Sequence, residues 1–106
     1  MATMEQIQEF SRRLVEEFRP VKVVLFGSYA KETVTPDSDV DLLVILPFEG
    51  KSVSKSVEMR LKLRPQFPLD LVVRTPDNVR ERLAMGDTFM EEVLEEGKVL
   101  YEAHSG

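Results

Sequence analysis

A chain of 106 residues with 42% hydrophobic and 31% charged positions is long enough for one domain with its own core, here residues 1–106, and is too apolar to stay disordered. The absence of cysteine excludes disulfides and thiolate metal sites, and the net charge of −5 speaks against direct nucleic-acid binding while favouring a metal ion or a basic protein partner. Without a secretory h-region or an apolar run approaching ~18 residues, the expectation is a cytoplasmic protein that makes no use of a membrane.

The first element is a helix. Met4, Ile7, Phe10, Leu14, Val15 and Phe18 form an apolar stripe, Thr3 and Gln6 have capping-box spacing, and Pro20 stops the run. Residues 22–26 are short, β-branched and stopped by Gly27, as a strand should be. Val40 to Leu46 forms a second strand that is apolar on both faces after Asp41, so it should be covered on both sides. Residues 52–63 carry Val53, Val57 and Leu61 four apart, predicting an amphipathic helix that buries them. A third strand follows over 69–74, then a helix with Thr75 as N-cap and Pro76 at its first position, ended by Gly86. Phe89, Met90, Val93 and Leu94 define the core side of a last helix between Asp87 and Gly97, and 98–102 fits a short edge strand. The expected order is α-β-(α)-β-α-β-α-α-(β), a single-layer α/β arrangement.

The chemistry lies in Phe26-Gly27-Ser28-Tyr29-Ala30-Lys31 and in Pro36-Asp37-Ser38-Asp39-Val40-Asp41. Residues i and i+2 of a strand project to one side, about 7 Å apart, so Asp39 and Asp41 repel each other beside an apolar run. A hard cation such as Mg²⁺ would reverse the sign of that interaction. Gly27 permits a tight turn, and the Ser28 hydroxyl with free amides can cradle phosphate oxygens. A helix starting at Tyr29 would add its N-terminal dipole. Ten residues separate Ser28 from Asp39, enough for the chain to return beside the first strand.

Gly-Ser, ten residues, then Asp-x-Asp resembles the signature of the DNA-polymerase-β-like nucleotidyltransferases. The wording Ser38-Asp39-Val40-Asp41-Leu42-Leu43-Val44 looks most like the minimal nucleotidyltransferases, antitoxins that pair with HEPN toxins. The likeness covers residues 21–46. It implies a nucleotidyltransferase fold, with a small mixed sheet of three to four strands packed with helices. It also implies a nucleoside triphosphate, ATP, held by Gly27, Ser28 and Lys31, and two Mg²⁺ ions bound by Asp39, Asp41 and Asp70. Asp70, opening an otherwise apolar strand, is the matching third carboxylate and the natural acceptor of a proton. The implied reaction moves AMP to a hydroxyl on a HEPN-domain protein, within a homo- or hetero-oligomer.

Other readings remain open. Where the family often has Gly-Ser-x-Ala-Arg-Gly, this chain has Lys31 and Glu32, which loses bidentate geometry and sets a negative side chain near the expected phosphates. That feature favours an antitoxin that neutralises its toxin by binding alone. A third alternative is a small-molecule, antibiotic-type transferase with its acceptor pocket at a dimer interface. Tyr29 fits packing as well as base stacking, His104 is functionally silent, and the Glu91-Glu92 and Glu95-Glu96 pairs form the wet face of the last helix.

Overall fold

A computed structural model describes residues 1–104 and realises this order of elements. The elements are α1 (Met4–Phe18), β1 (Lys22–Phe26), α2 (Ser28–Lys31), β2 (Val40–Ile45), α3 (Ser52–Leu63), β3 (Leu69–Arg74), α4 (Pro76–Ala84), α5 (Thr88–Glu96) and β4 (Lys98–Glu102). The caps follow the sequence signals. Thr3 and Gln6 form a reciprocal capping box, Thr75 accepts from the Asn78 N–H at 3.1 Å, and Asp87 accepts from the Met90 N–H at 3.1 Å. Among the described residues, no helix is long and apolar enough to cross a membrane.

The four strands form one mixed sheet in the order β3-β2-β1-β4. β1 runs antiparallel to both neighbours, whereas β2 and β3 are parallel and joined by the crossover that carries α3. Helices cover both faces, so the sheet is the middle of three layers and the single-layer expectation is corrected. Side-chain alternation makes this possible. Val23, Leu25, Leu42, Val44, Leu71 and Val73 point to α1 and α3, meeting Ile7, Phe10, Leu14, Met59 and Leu63. Val24, Leu43 and Ile45 point the other way, onto Val79 of α4 and Met90 and Val93 of α5.

Two packing expectations need correction. α3 is a helix, but Val53 and Leu61 are 73% and 72% exposed, and Met59 and Leu63 are buried instead. Long basic stems complete its inner side. Lys55 lies 5.3 Å from the Phe18 ring centroid, and Arg60 donates to the Leu69 carbonyl at 2.5 Å. Phe89 of α5 was expected in the core and is 48% exposed, packed edge-on against Phe26.

Gly97 ends α5 as expected, yet for lack of space rather than for a left-handed backbone. Its φ is −71°, and a Cβ there would stand 2.5 Å from Val24 Cγ1 and 2.4 Å from the Val93 carbonyl oxygen.

Candidate active site

The site lies at one end of the sheet, on the α4–α5 face. β2 and β3 are in register with Asp41 opposite Asp70, so the two carboxylates project side by side from adjacent strands. On the other side of β2, Phe26 pairs with Asp41. Val40 is wholly buried against the α1 side, which fixes the orientation of its neighbour Asp41. Asp39 precedes β2 on the incoming loop, whose turn is closed by the Ser38 hydroxyl accepting from the Thr35 N–H at 2.9 Å.

Partial burial pushes the Asp41 carboxyl up from 3.8 to about 6, helped by the charges of Asp70 and Asp39 and by a hydrogen bond shared with Asp70. Asp70 itself is exposed. Among the described residues, no Lys or Arg forms an ion pair with any of the three. Nor, among those residues, does any group of three acidic or histidine side chains stand ready as a metal cage. Asp41 and Asp70 meet, while Asp39 bears on Asp41 through its charge. The chemistry of this donor set fits a hard divalent cation, whose charge would offset both the repulsion and the desolvation.

Gly27 ties the other half of the motif to this pair. Its φ of +72° suits glycine, and a Cβ at that position would fall 2.2 Å from Asp41 Oδ2. Backbone and carboxylate are therefore in direct apposition. Ser28 then opens α2, a single turn whose first amides have no partner within the helix. The remaining motif residues take separate directions. Tyr29 is buried, and its hydroxyl accepts from the Ala2 N–H at 3.0 Å, which settles its role as packing. Lys31 donates to Glu92 of α5 at 3.1 Å. Glu32 ends α2 in the left-handed conformation with φ +58°, which explains why a glycine suits this position. Its carboxylate lies 3.6 Å from Lys98, beside Met4 and Val34, so it is not directed at the carboxylate pair.

The side chains that sequence reasoning missed come from α5. Phe89, Glu92 and Glu96 line a cavity with Phe26, Gly27 and Lys31. Only tertiary packing brings them there, across some sixty residues of chain (Lys31 and Glu92 are 61 apart).

Comparison with known proteins identifies the family and the fold. A family model described as "Nucleotidyltransferase domain" matches residues 7–101. A candidate protein adenylyltransferase of Methanocaldococcus jannaschii is 31% identical over 97 residues, covering 90% of this chain and 94% of its own length. A second from the same organism is 30% identical over 80 residues, covering 70% and 81%. Among solved structures, a candidate nucleotidyltransferase from Sulfolobus solfataricus superposes with a TM-score of 0.64 at 16% identity, over 96% of this chain and 82% of the other. A toxin–antitoxin structure with AMP-PNP gives a TM-score of 0.62 at 22% identity, over 92% and 74%. These last two likenesses establish the shared fold. The chain belongs to the nucleotidyltransferase domain family.

Proposed function

We propose that this chain transfers a nucleotidyl group, AMP from Mg²⁺-ATP, to a hydroxyl of a protein acceptor, and that its partner is a HEPN toxin. The observation that carries this reading is the alignment of Asp41 with Asp70 on neighbouring strands, with Gly27 pressed against Asp41 and Ser28 next in the chain. The relatives named for protein adenylylation support a protein acceptor, and the toxin–antitoxin neighbour solved with AMP-PNP supports the adenine nucleotide and the toxin.

In this scheme the Ser28 hydroxyl and the first amides of α2 hold the triphosphate, and Lys31 joins them on leaving Glu92. Asp39, Asp41 and Asp70 hold the divalent ions, two in the family's scheme. Ions held there would supply electrostatic stabilisation of the charge that develops in an in-line displacement at the α-phosphate, with pyrophosphate as the leaving group. Asp70 is exposed at the mouth of the site and takes the proton from the incoming hydroxyl. Glu32 spoke for neutralisation by binding alone. Its nearest cation is Lys98 at 3.6 Å, which favours a place away from the phosphates and so the enzymatic reading.

The test is incubation with Mg²⁺, α-labelled ATP and the protein encoded next to this one, repeated with Asp39→Asn and Asp41→Asn. Label on the neighbour, reduced about a thousandfold in both variants, is the expected result and corresponds to roughly 4 kcal/mol of barrier. Inhibition of the neighbour that persists without label, in wild type and variants alike, would overturn the enzymatic reading. Label on a small hydroxyl compound alone would replace the acceptor.

A further inference from the structure

We propose that Arg60 is a positioning residue of the site: its bond to the Leu69 carbonyl holds the start of β3 so that Asp70 stays opposite Asp41. The inference rests on the reading that Asp70 takes the acceptor's proton.

β3 is an outermost strand, with β2 on one side and no strand on the other. Asp70 is its second residue, close behind the loop over residues 64–68 that leaves α3. Such a place is poorly held, and it is also under load. Asp70 faces Asp41 across the pair, and the charges of Asp70 and Asp39 both bear on Asp41, so repulsion pushes the outer carboxylate away. Without a cation between them, another contact has to keep the strand end in place.

The backbone shows which contact does so. The Val40 N–H donates to the Pro68 carbonyl at 2.9 Å, tying the end of the loop to β2. Backbone groups along a strand alternate in direction, so the next carbonyl, that of Leu69, turns away from β2 to the open edge. Arg60 Nη2 donates to it at 2.5 Å. The peptide group bearing this carbonyl also contains the nitrogen of Asp70, so the guanidinium grips the chain at the link to the acidic residue. Arg60 is itself anchored. It lies in the last turn of α3, where its own carbonyl accepts from the Arg64 N–H at 2.8 Å, and Arg13 of α1 fixes the same helix end by donating to the Leu63 carbonyl at 2.6 Å. An edge carbonyl between the exposed Pro68 and Asp70 could bond water instead. What the arginine adds is a fixed geometry, delivered through the backbone, which leaves the carboxylate oxygens of Asp70 for a cation.

Arg60→Met and Arg13→Met together form the test. Each deletes one part-buried bond from an arginine to a carbonyl, so both should lose similar stability in urea, and only the first should reach Asp70. The first readout is amide exchange in the free ¹⁵N-labelled chain, where Val40 should exchange about tenfold faster in Arg60→Met than in Arg13→Met. The second is transfer from labelled ATP. There kcat should fall on the order of thirtyfold in Arg60→Met, with KM for Mg²⁺-ATP within about twofold because Gly27 and Ser28 are untouched. Arg13→Met should keep its kcat, and Arg60→Lys, which retains a donor, should recover part of the loss. Equal effects of the two methionine variants, a loss confined to KM, or no gain from Arg60→Lys over Arg60→Met would each overturn the proposal. Exchange is read without nucleotide or partner. Unchanged exchange at Val40 while transfer proceeds would sink the brace alone, whereas faster exchange in a chain that transfers to no acceptor would sink the functional reading and leave the brace standing.

Discussion

The two faces of the sheet are built for different purposes. On the α1–α3 side, fifteen buried residues form one cluster running from Ile7 to Val73. On the α4–α5 side the buried cluster has six members, and beyond its edge stand Asp41, Asp70 and the cavity next to Gly27. Carboxylates without a counter-charge cannot be sealed under a dense apolar layer, since burying an unpaired charge is costly, and the proposed function needs them open to a cation and a substrate. The larger cluster can hold the strands rigid while the thinner side leaves their ends open to solvent.

Adjacent residues of β2 test this division most directly. Leu42 faces the large cluster and Leu43 the small one, and both are wholly buried. Leu42→Ala should cost about 4 kcal/mol, and Leu43→Ala about 2.5 kcal/mol because short helices collapse more easily around a void. Urea unfolding of both variants measures the difference. Equal or reversed costs would break the comparison.

Gly27→Ala comes next, with an expected loss of about 2 kcal/mol from the left-handed backbone and the clash with Asp41. Mg²⁺-ATP affinity should fall about tenfold with it, the equivalent of 1.4 kcal/mol, as read by calorimetry.

A smaller effect comes from pH. In the unfolded chain Asp41 loses its proton near 3.8, and in the folded one near 6, so between those values the unfolded state binds fewer protons and stability falls as pH rises. Because the side chain is only partly buried, the loss is of the order of 1 kcal/mol after solvent screening. Asp41→Asn, without added divalent cation, should therefore be more stable than wild type at pH 7 and lose its advantage near pH 4. A thermal denaturation series across pH gives the answer.

The smallest effect belongs to Glu32, which sits on the α1 side of α2 beside Met4 and Val34. Glu32→Gly relieves the positive φ and should stabilise by up to about 1 kcal/mol while leaving transfer unchanged. A changed transfer rate would mean that this side chain reaches the phosphates after all.

Much of this was legible where the signals are local. Caps, strand lengths and the spacing from Ser28 to Asp39 depend on neighbours within a dozen residues, and the structure realises them. Legibility failed where two local patterns compete. α3 carries apolar residues four apart at Val53, Val57 and Leu61, and again at Met59 and Leu63. Periodicity cannot say which set turns inward. Tertiary contacts decide, here through Arg13 donating to the Leu63 carbonyl at 2.6 Å and Arg60 to that of Leu69. The same limit hid the Lys31–Glu92 pair and the exposure of Phe89, since both depend on where α5 lands on β1.

The parallel pairing of β2 with β3 sets an order of assembly. β1 and β2 can zip up around the short α2 excursion, which places Gly27, Ser28 and Asp41 early. Asp70 waits for the crossover through residues 46–68 to close, a slower event because the contacts it makes are far apart in the chain. A half-folded molecule emerging during synthesis would thus have Gly27, Ser28 and Asp41, the proposed phosphate side of the site, but lack Asp70, the proposed proton acceptor. Under the proposed function, nucleotide chemistry would begin only once β3 is in place beside β2.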